Sequence, residues 1–274
     1  KIGNPFNHDN GRYDFEDRGA NKEPYRWGFQ IRSARARDDY SQMVALNQAM
    51  GTLSGASLKA ALDPLIDVDQ WMRTFAMLSL NGTDDVYGRI WEHNFRYYVR
   101  PTDQKIIALQ WDLDRAFRLG ANVSVTPTVN NQGDPVAVAK LFEIPQYRRL
   151  FDGHLQDLIE TTFNSSYTTP WASHLTSVTG DNLNGNVSYV TGRANAVRGT
   201  LPGPVTFAIT TNSGIDFSVS ESVVTLEGKA WVDVFSIQVN GITIPITWTD
   251  EETWEMSVPV QTGSNLLTIA ALNN

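Results

Sequence analysis

Asn81-Gly82-Thr83-Asp84-Asp85-Val86-Tyr87, then His93-Asn94-Phe95-Arg96-Tyr97-Tyr98, then Trp111-Asp112-Leu113-Asp114-Arg115-Ala116-Phe117 are the stretches that decide how this chain folds. An acidic turn leads to an asparagine that opens a strand. A second strand returns and ends on two carboxylates. Phe95, Tyr97 and Val99 alternate onto one face, Pro101 to Gln104 have turn composition, and Ile106 to Trp111 run back. That alternation predicts a hairpin. Its open end brings Asn94 close to Asp112 and Asp114, with Asp84 and Asp85 just upstream.

Clustered hard oxygen ligands at the mouth of a hairpin suit a divalent cation such as magnesium. That ion takes carboxylate and amide oxygens plus substrate phosphates and seldom builds an all-protein cage. Asp and Asn are also common turn and cap residues, so spacing alone leaves both readings open. In protein kinases one Asp is the catalytic base, while an Asn and a second Asp hold the metal ions. Asp85, Asn94 and Asp112 repeat those residue types in that order.

The acidic turn has a prop. Asp67 is a good helix N-cap with Gln70 three residues on, and Val68, Trp71, Met72, Phe75, Ala76 and Leu78 form an apolar stripe. Gly82 supplies a left-handed cap. A buried helix of this kind gives a catalytic acid rigid support; Trp71 and Phe75 are core residues. Upstream, Asp38 or Asp39 caps a helix carrying Tyr40, Met43, Val44 and Ala49 or Met50, stopped by Gly51, and a shorter helix carries Leu58, Ala61, Leu62 and Leu65.

The Gly82–Tyr87, His93–Tyr98 and Trp111–Phe117 blocks resemble the core of the CotH kinase family, the spore coat protein H-like atypical kinases. The family pattern is Gly, two residues, Asp, one residue and an aromatic; then Asn, aromatic and Tyr; then Trp-Asp-Leu-Asp and Phe. Tyr25-Arg26-Trp27-Gly28-Phe29 and Asp67-Val68-Asp69-Gln70-Trp71 are similar to members with extracellular β-domains, and the likeness runs from about Tyr25 to Leu201. The resemblance implies ATP-dependent phosphoryl transfer to protein Ser or Thr, with Mg2+ (or Mn2+) as cofactor. It makes Asp85 the catalytic aspartate, Asn94 a metal ligand, Asp112 the principal metal ligand and Asp114 a weaker ligand. Asp84 is the alternative acid, but Asp85 matches both the glycine three before and the aromatic two after. The gap of nine from Asp85 to Asn94 exceeds the roughly five of ordinary kinases, so Gly88 to Glu92 must loop out.

With 274 residues the chain is long enough for two domains. Its 41% hydrophobic and 19% charged composition is that of an ordinary globular protein. No apolar run approaches the ~20 residues of a membrane span. Zero cysteines exclude disulfides and thiolate chemistry, and are compatible with bacterial export. The net charge of −8 is uneven: residues 204–274 hold eight acids and one base, leaving −1 for the rest. That asymmetry puts a boundary at Leu201-Pro202-Gly203-Pro204 and argues against nucleic-acid binding, which needs a basic footprint. His8, His93, His154 and His174 offer no His-x-x-x-His zinc pair, and there is no Gly-x-Ser-x-Gly elbow.

Outside the core blocks, residues 1–37 read as an ordered loop region or the remnant of a missing element; Arg32 to Arg37 could face a phosphate, though a solvated face is the simpler reading because surface Arg is ordinary. Residues 119–136 form a polar loop placed where a kinase activation segment would lie. A helix from Pro145 to Phe163 carries His154 on its apolar face, a hydrogen-bonded core histidine. Another starts at Pro170 as a first-turn proline with Leu175 and Val178 inward. A last one spans about Asn186 to Arg198, with Arg193 a structural residue paired to a core carboxylate. From Val205 the period becomes two, with strands at 205–209, 216–219, 222–226, 234–239, 243–249, 254–258 and 266–270 and a tight turn at Asn240-Gly241. Seven short strands fit an immunoglobulin-like sandwich.

The expected architecture is therefore α+β: a mostly helical, kinase-like domain over 1–203 with the acidic hairpin, then a β-sandwich over 204–274. No phosphate-covering loop or its lysine is visible, and the resemblance places both before Lys1; weak or absent phosphotransfer is expected of residues 1–274 alone. The competing reading is an exported surface or adhesion protein built on a silent kinase-like fold.

Overall fold

The computed structural model describes residues 2–3, 14–89, 94–127 and 136–273. His8, His93 and the 128–135 part of the polar loop lie outside the described residues. Helices α1 (Tyr25–Gly28), α2 (Ser41–Thr52), α3 (Gly55–Leu62) and α4 (Val68–Asn81) lead to the hairpin. In α4 the Asp67 carboxylate accepts the Gln70 N–H at 3.3 Å, and Gly82 closes the other end with φ 58°. Trp71, Met72, Phe75, Ala76 and Leu78 are buried, each large side chain contributing about 1.5–3 kcal/mol.

Strands β1 (Ile2–Gly3), β2 (Gln30–Ile31), β3 (Phe95–Val99) and β4 (Ile106–Gln110) form one antiparallel sheet in the order β2-β1-β3-β4. The β3–β4 ladder runs from Val99↔Ile106 to Phe95↔Gln110. β4 is an edge, and α4 covers it. The Gln70 amide donates to the Ala108 carbonyl at 2.5 Å and accepts from the Ala108 N–H at 2.8 Å, while the Trp71 indole donates to the Ile106 carbonyl at 2.9 Å. Side chains of the prop thus satisfy backbone groups that an edge strand leaves open.

Residues 1–37 are more than a loop or remnant. β1 lies between β2 and β3, and Phe15, Tyr25 and Phe29 are buried. Phe15 sits 5.5 Å from Tyr87 and 5.7 Å from Tyr97, centroid to centroid. Strands of two residues carry no period, so the pattern of the sequence misses them.

α5 (Pro145–Thr161), α6 (Ser165–Thr179) and α7 (Asn184–Arg198) follow. α6 departs from expectation. It begins at Ser165, where the Asn164 carboxamide accepts the Tyr167 N–H at 2.9 Å, so Pro170 lies inside the helix and not in its first turn. Leu175 and Val178 are 46% and 70% exposed, not inward. An asparagine cap six residues before the proline outweighs the start that proline favours. His154 accords with its reading: its Nε2 lies 2.8 Å from an Asp69 carboxylate oxygen in a buried position.

Beyond Pro204 come β5 (Ala208–Ile209), β6 (Val223–Lys229), β7 (Ser236–Val239), β8 (Ile242–Ile244), β9 (Thr247–Trp248), β10 (Thr253–Pro259) and β11 (Ile269–Leu272). They make two antiparallel sheets, β5-β6-β10-β9 and β11-β7-β8, which share a core around Trp254. Asn240 and Gly241 both take positive φ, as a tight hairpin turn requires. Two strand assignments change. Residues 216–219 are irregular and exposed, because Asn212 folds the chain back by donating to the Ile215 and Asp216 carbonyls. The run 243–249 splits at Pro245, and its halves join different sheets, since proline lacks the ladder donor. α5 seats this region: Arg149 donates to the carbonyls of Ala230, Trp231, Val234 and Glu251 and stacks 3.3 Å from the Trp248 ring centre.

Candidate functional site

The C-terminal carbonyls of α4 receive the chain that leaves the hairpin. The Phe117 N–H donates to Asn81 O at 2.7 Å, and those of Arg118 and Leu119 donate to Gly82 O at 3.1 and 2.9 Å. The acidic turn and the Asp112–Phe117 segment are therefore tied to one helix end. Gly82 is required there. Besides its positive φ, a Cβ would lie 1.8 Å from the Tyr189 hydroxyl oxygen, and Tyr189 packs on Phe117 at 5.2 Å.

Asn94 and Asp85 meet. The Asn94 amide nitrogen donates to Asp85 O at 3.0 Å and to Asp85 Oδ2 at 3.2 Å. Asn94 is buried and has φ 54°; Asp112, at the other strand end, is exposed with φ 57°. The left-handed region is one that Asn and Asp tolerate best after glycine, so residue type and turn geometry agree at both ends of the ladder. Asp112 and Asp114 make no hydrogen bond or ion pair with the described residues. Two carboxylates and an amide are hard oxygen donors of the kind magnesium takes with phosphate completing its shell. Among the described residues no three His, Cys, Asp or Glu side chains form a metal cage.

The sequence gives no direct sign of Arg115's role. Its guanidinium grips Asp84 through two bonds, Nε to Oδ1 at 2.7 Å and a second nitrogen to Oδ2 at 2.6 Å, and holds that carboxyl below its ordinary range. One base directly after the Asp112–Asp114 acids is the available signal. Arg193 is structural, as expected, but among the described residues it pairs with no carboxylate: it donates to the carbonyls of Ser79, Ala121 and Val123. Arg89 adds bonds to Ser79 Oγ and to the Ser124 and Val125 carbonyls. Burial and its neighbour Arg193 push Arg89 down to about 9. The described part of the 119–136 loop is thus clamped to α4.

With that geometry in place, the comparisons assign the class. The family model for CotH kinase protein matches residues 6–203, well over half of the chain. The chain belongs to the CotH kinase family. At the level of the family, ATP and a divalent metal are the general cofactors. No curated protein matches the sequence, and among the described residues no helix is long and apolar enough to cross a membrane.

Proposed function

We propose that this chain works as a CotH-type atypical kinase that transfers phosphoryl groups from ATP to Ser or Thr hydroxyls of a protein. The observation that carries this reading is the Asn94–Asp85 hydrogen bond at the hairpin mouth, opposite an Asp112 with no internal partner among the described residues. Asp85 receives the proton of the substrate hydroxyl, and the Asn94 amide keeps its carboxylate oriented. Asn94 and Asp112, with Asp114 as a weaker ligand, would hold Mg2+ or Mn2+, which when bound neutralises phosphate charge. Asp84 is spent on Arg115 and shapes the turn. Positioning and charge neutralisation supply most of the catalysis in such a site.

Residues 1–203 then form the kinase-like domain and 204–274 an immunoglobulin-like sandwich. The resemblance to members with extracellular β-domains supports export to the surface of a bacterium. A second reading, a silent surface scaffold, is favoured by one observation: the protein neutralises Asp84 of its acidic turn internally, through Arg115. Mg2+-dependent ATP binding to the intact protein separates the two. Loss of binding in Asp112→Ala supports the kinase; identical behaviour of wild type and variant makes the scaffold the better account.

A further inference from the structure

Seven arginines of the fold are matched internally. Arg26, Arg100, Arg115 and Arg148 grip carboxylates, while Arg89, Arg149 and Arg193 grip carbonyls. Arg96 does neither. It lies on β3 opposite Leu109, in the alternate set to the buried Phe95 and Tyr97. Its guanidinium carbon sits 3.6 Å from the Trp111 ring centre, and its Nε is buried without a hydrogen-bond partner. Arg32, at the end of β2 in the same sheet, is near enough for its like charge to act with burial in lowering the Arg96 pKa. Neither cation has an ion pair among the described residues.

An aromatic platform orients a guanidinium and shields one of its faces, a gain of about 0.5–2 kcal/mol. It does not satisfy the N–H groups, and an unmatched buried donor is costly. Placement supplies the missing acceptor. Arg96 stands two residues after Asn94, and Trp111, 49% exposed, immediately precedes Asp112. An anion that reaches the mouth of the hairpin meets this fork, and phosphate oxygens match it bidentately.

We propose that Arg96, held flat on Trp111 and reinforced by Arg32, is the phosphate-binding subsite for the nucleotide whose metal Asn94 and Asp112 hold. The identity of the ligand rests on the kinase reading; the anion site itself rests on the unmatched cation. Arg96 is a binding residue here, and Trp111 positions it. Stacking of an arginine on a sheet-surface tryptophan is also ordinary packing, so the test reads phosphate affinity and not stability alone.

Tripolyphosphate alone, and ATP with Mg2+, are titrated into the intact protein while tryptophan fluorescence is followed, with Trp111→Phe used to assign the signal. Arg96→Gln is expected to weaken both probes at least tenfold, and Arg96→Lys to recover part of the loss because it keeps the charge but not the fork. Should Arg96→Gln lower the melting temperature, Arg96→Lys decides, since it retains a cation over Trp111. Unchanged MgATP affinity in both variants overturns the subsite and leaves the kinase reading standing. Arg96-dependent tripolyphosphate binding with MgATP affinity indifferent to Asp112→Ala keeps the subsite and removes the kinase. Absence of saturable binding of either probe to the wild type overturns both.

Discussion

The two ends of one hairpin treat charge in opposite ways. At the turn, Arg100 donates to Asp103 at 2.9 and 2.5 Å and to Asp67 at 2.9 Å, and Lys105 donates to the Asp63 carbonyl at 2.8 Å. The acids that cap and close that end are matched inside the protein. At the mouth, Asp112 and Asp114 project without an internal partner among the described residues, and Arg96 rests on an aromatic ring. Asp84, bound by Arg115, follows the rule of the turn. The same ladder carries both ends, so strand pairing does not explain the contrast. Closed charges hold shape; open ones are what a site needs from rigid supports.

Four substitutions sharpen or erase that contrast. The largest effect belongs to Asp112→Ala, expected to lower MgATP affinity about 100-fold or more, the scale of losing one charge-stabilising group in a site. Its melting temperature should fall by only a few degrees, because alanine at φ 57° costs about 1 kcal/mol where aspartate is tolerated. Asp103→Ala at the turn should leave affinity untouched; equal losses would mean the ends do not differ. Gly82→Ala comes next. Positive φ and the approach to Tyr189 cost about 1–3 kcal/mol, read by denaturant unfolding, and MgATP affinity should fall with it because Gly82 anchors Arg118 and Leu119. Asp67→Ala should cost about 1 kcal/mol through the lost helix cap, with its part-exposed Arg100 pair adding little and nucleotide binding unchanged.

The hairpin and α4 are legible in the sequence because each is local: alternation around Pro101–Gln104, and a cap plus an apolar stripe from Asp67 to Gly82. The strand ends that carry Asn94 and Asp112 are legible for the same reason, since a hairpin of known register fixes which strand ends face. What escapes is nonlocal. Arg193 reaches carbonyls at Ser79, 114 positions away, and no carboxylate need be near when backbone acceptors suffice. Arg115 finds Asp84 only because residues 117–119 cross the end of α4. The start of α6 escapes too, because a proline is a conspicuous start signal and an asparagine cap an inconspicuous one; its Tyr167, Trp171, Leu175 and Val178 are all exposed.

The smallest expected effect is acid sensitivity, and it compares the two ends through the same chemistry. Arg100 holds Asp103 down at about 2, and Arg115 holds Asp84 below its ordinary value. An unfolded aspartate titrates at about 3.9. A carboxyl with a depressed folded-state pKa contributes stability that is present above the unfolded value and lost as pH falls through the folded one. Melting temperature should therefore decline below about pH 4, and for Asp103 the decline continues through about pH 2. Asp84→Asn should flatten that decline more than Asp103→Asn, because Asp84 is nearly buried while Asp103 is exposed and screened by water. Added salt of about 1 M shortens the screening length to about 3 Å, which should abolish the Asp103 difference and leave most of that for Asp84. Identical pH slopes for the two variants, in low and high salt, would show that the mouth keeps the Asp84–Arg115 pair no more tightly than the turn keeps Asp103. The Arg115 grip would then be as dispensable as any surface contact, and Asp84 would again compete with Asp85 for the role of base.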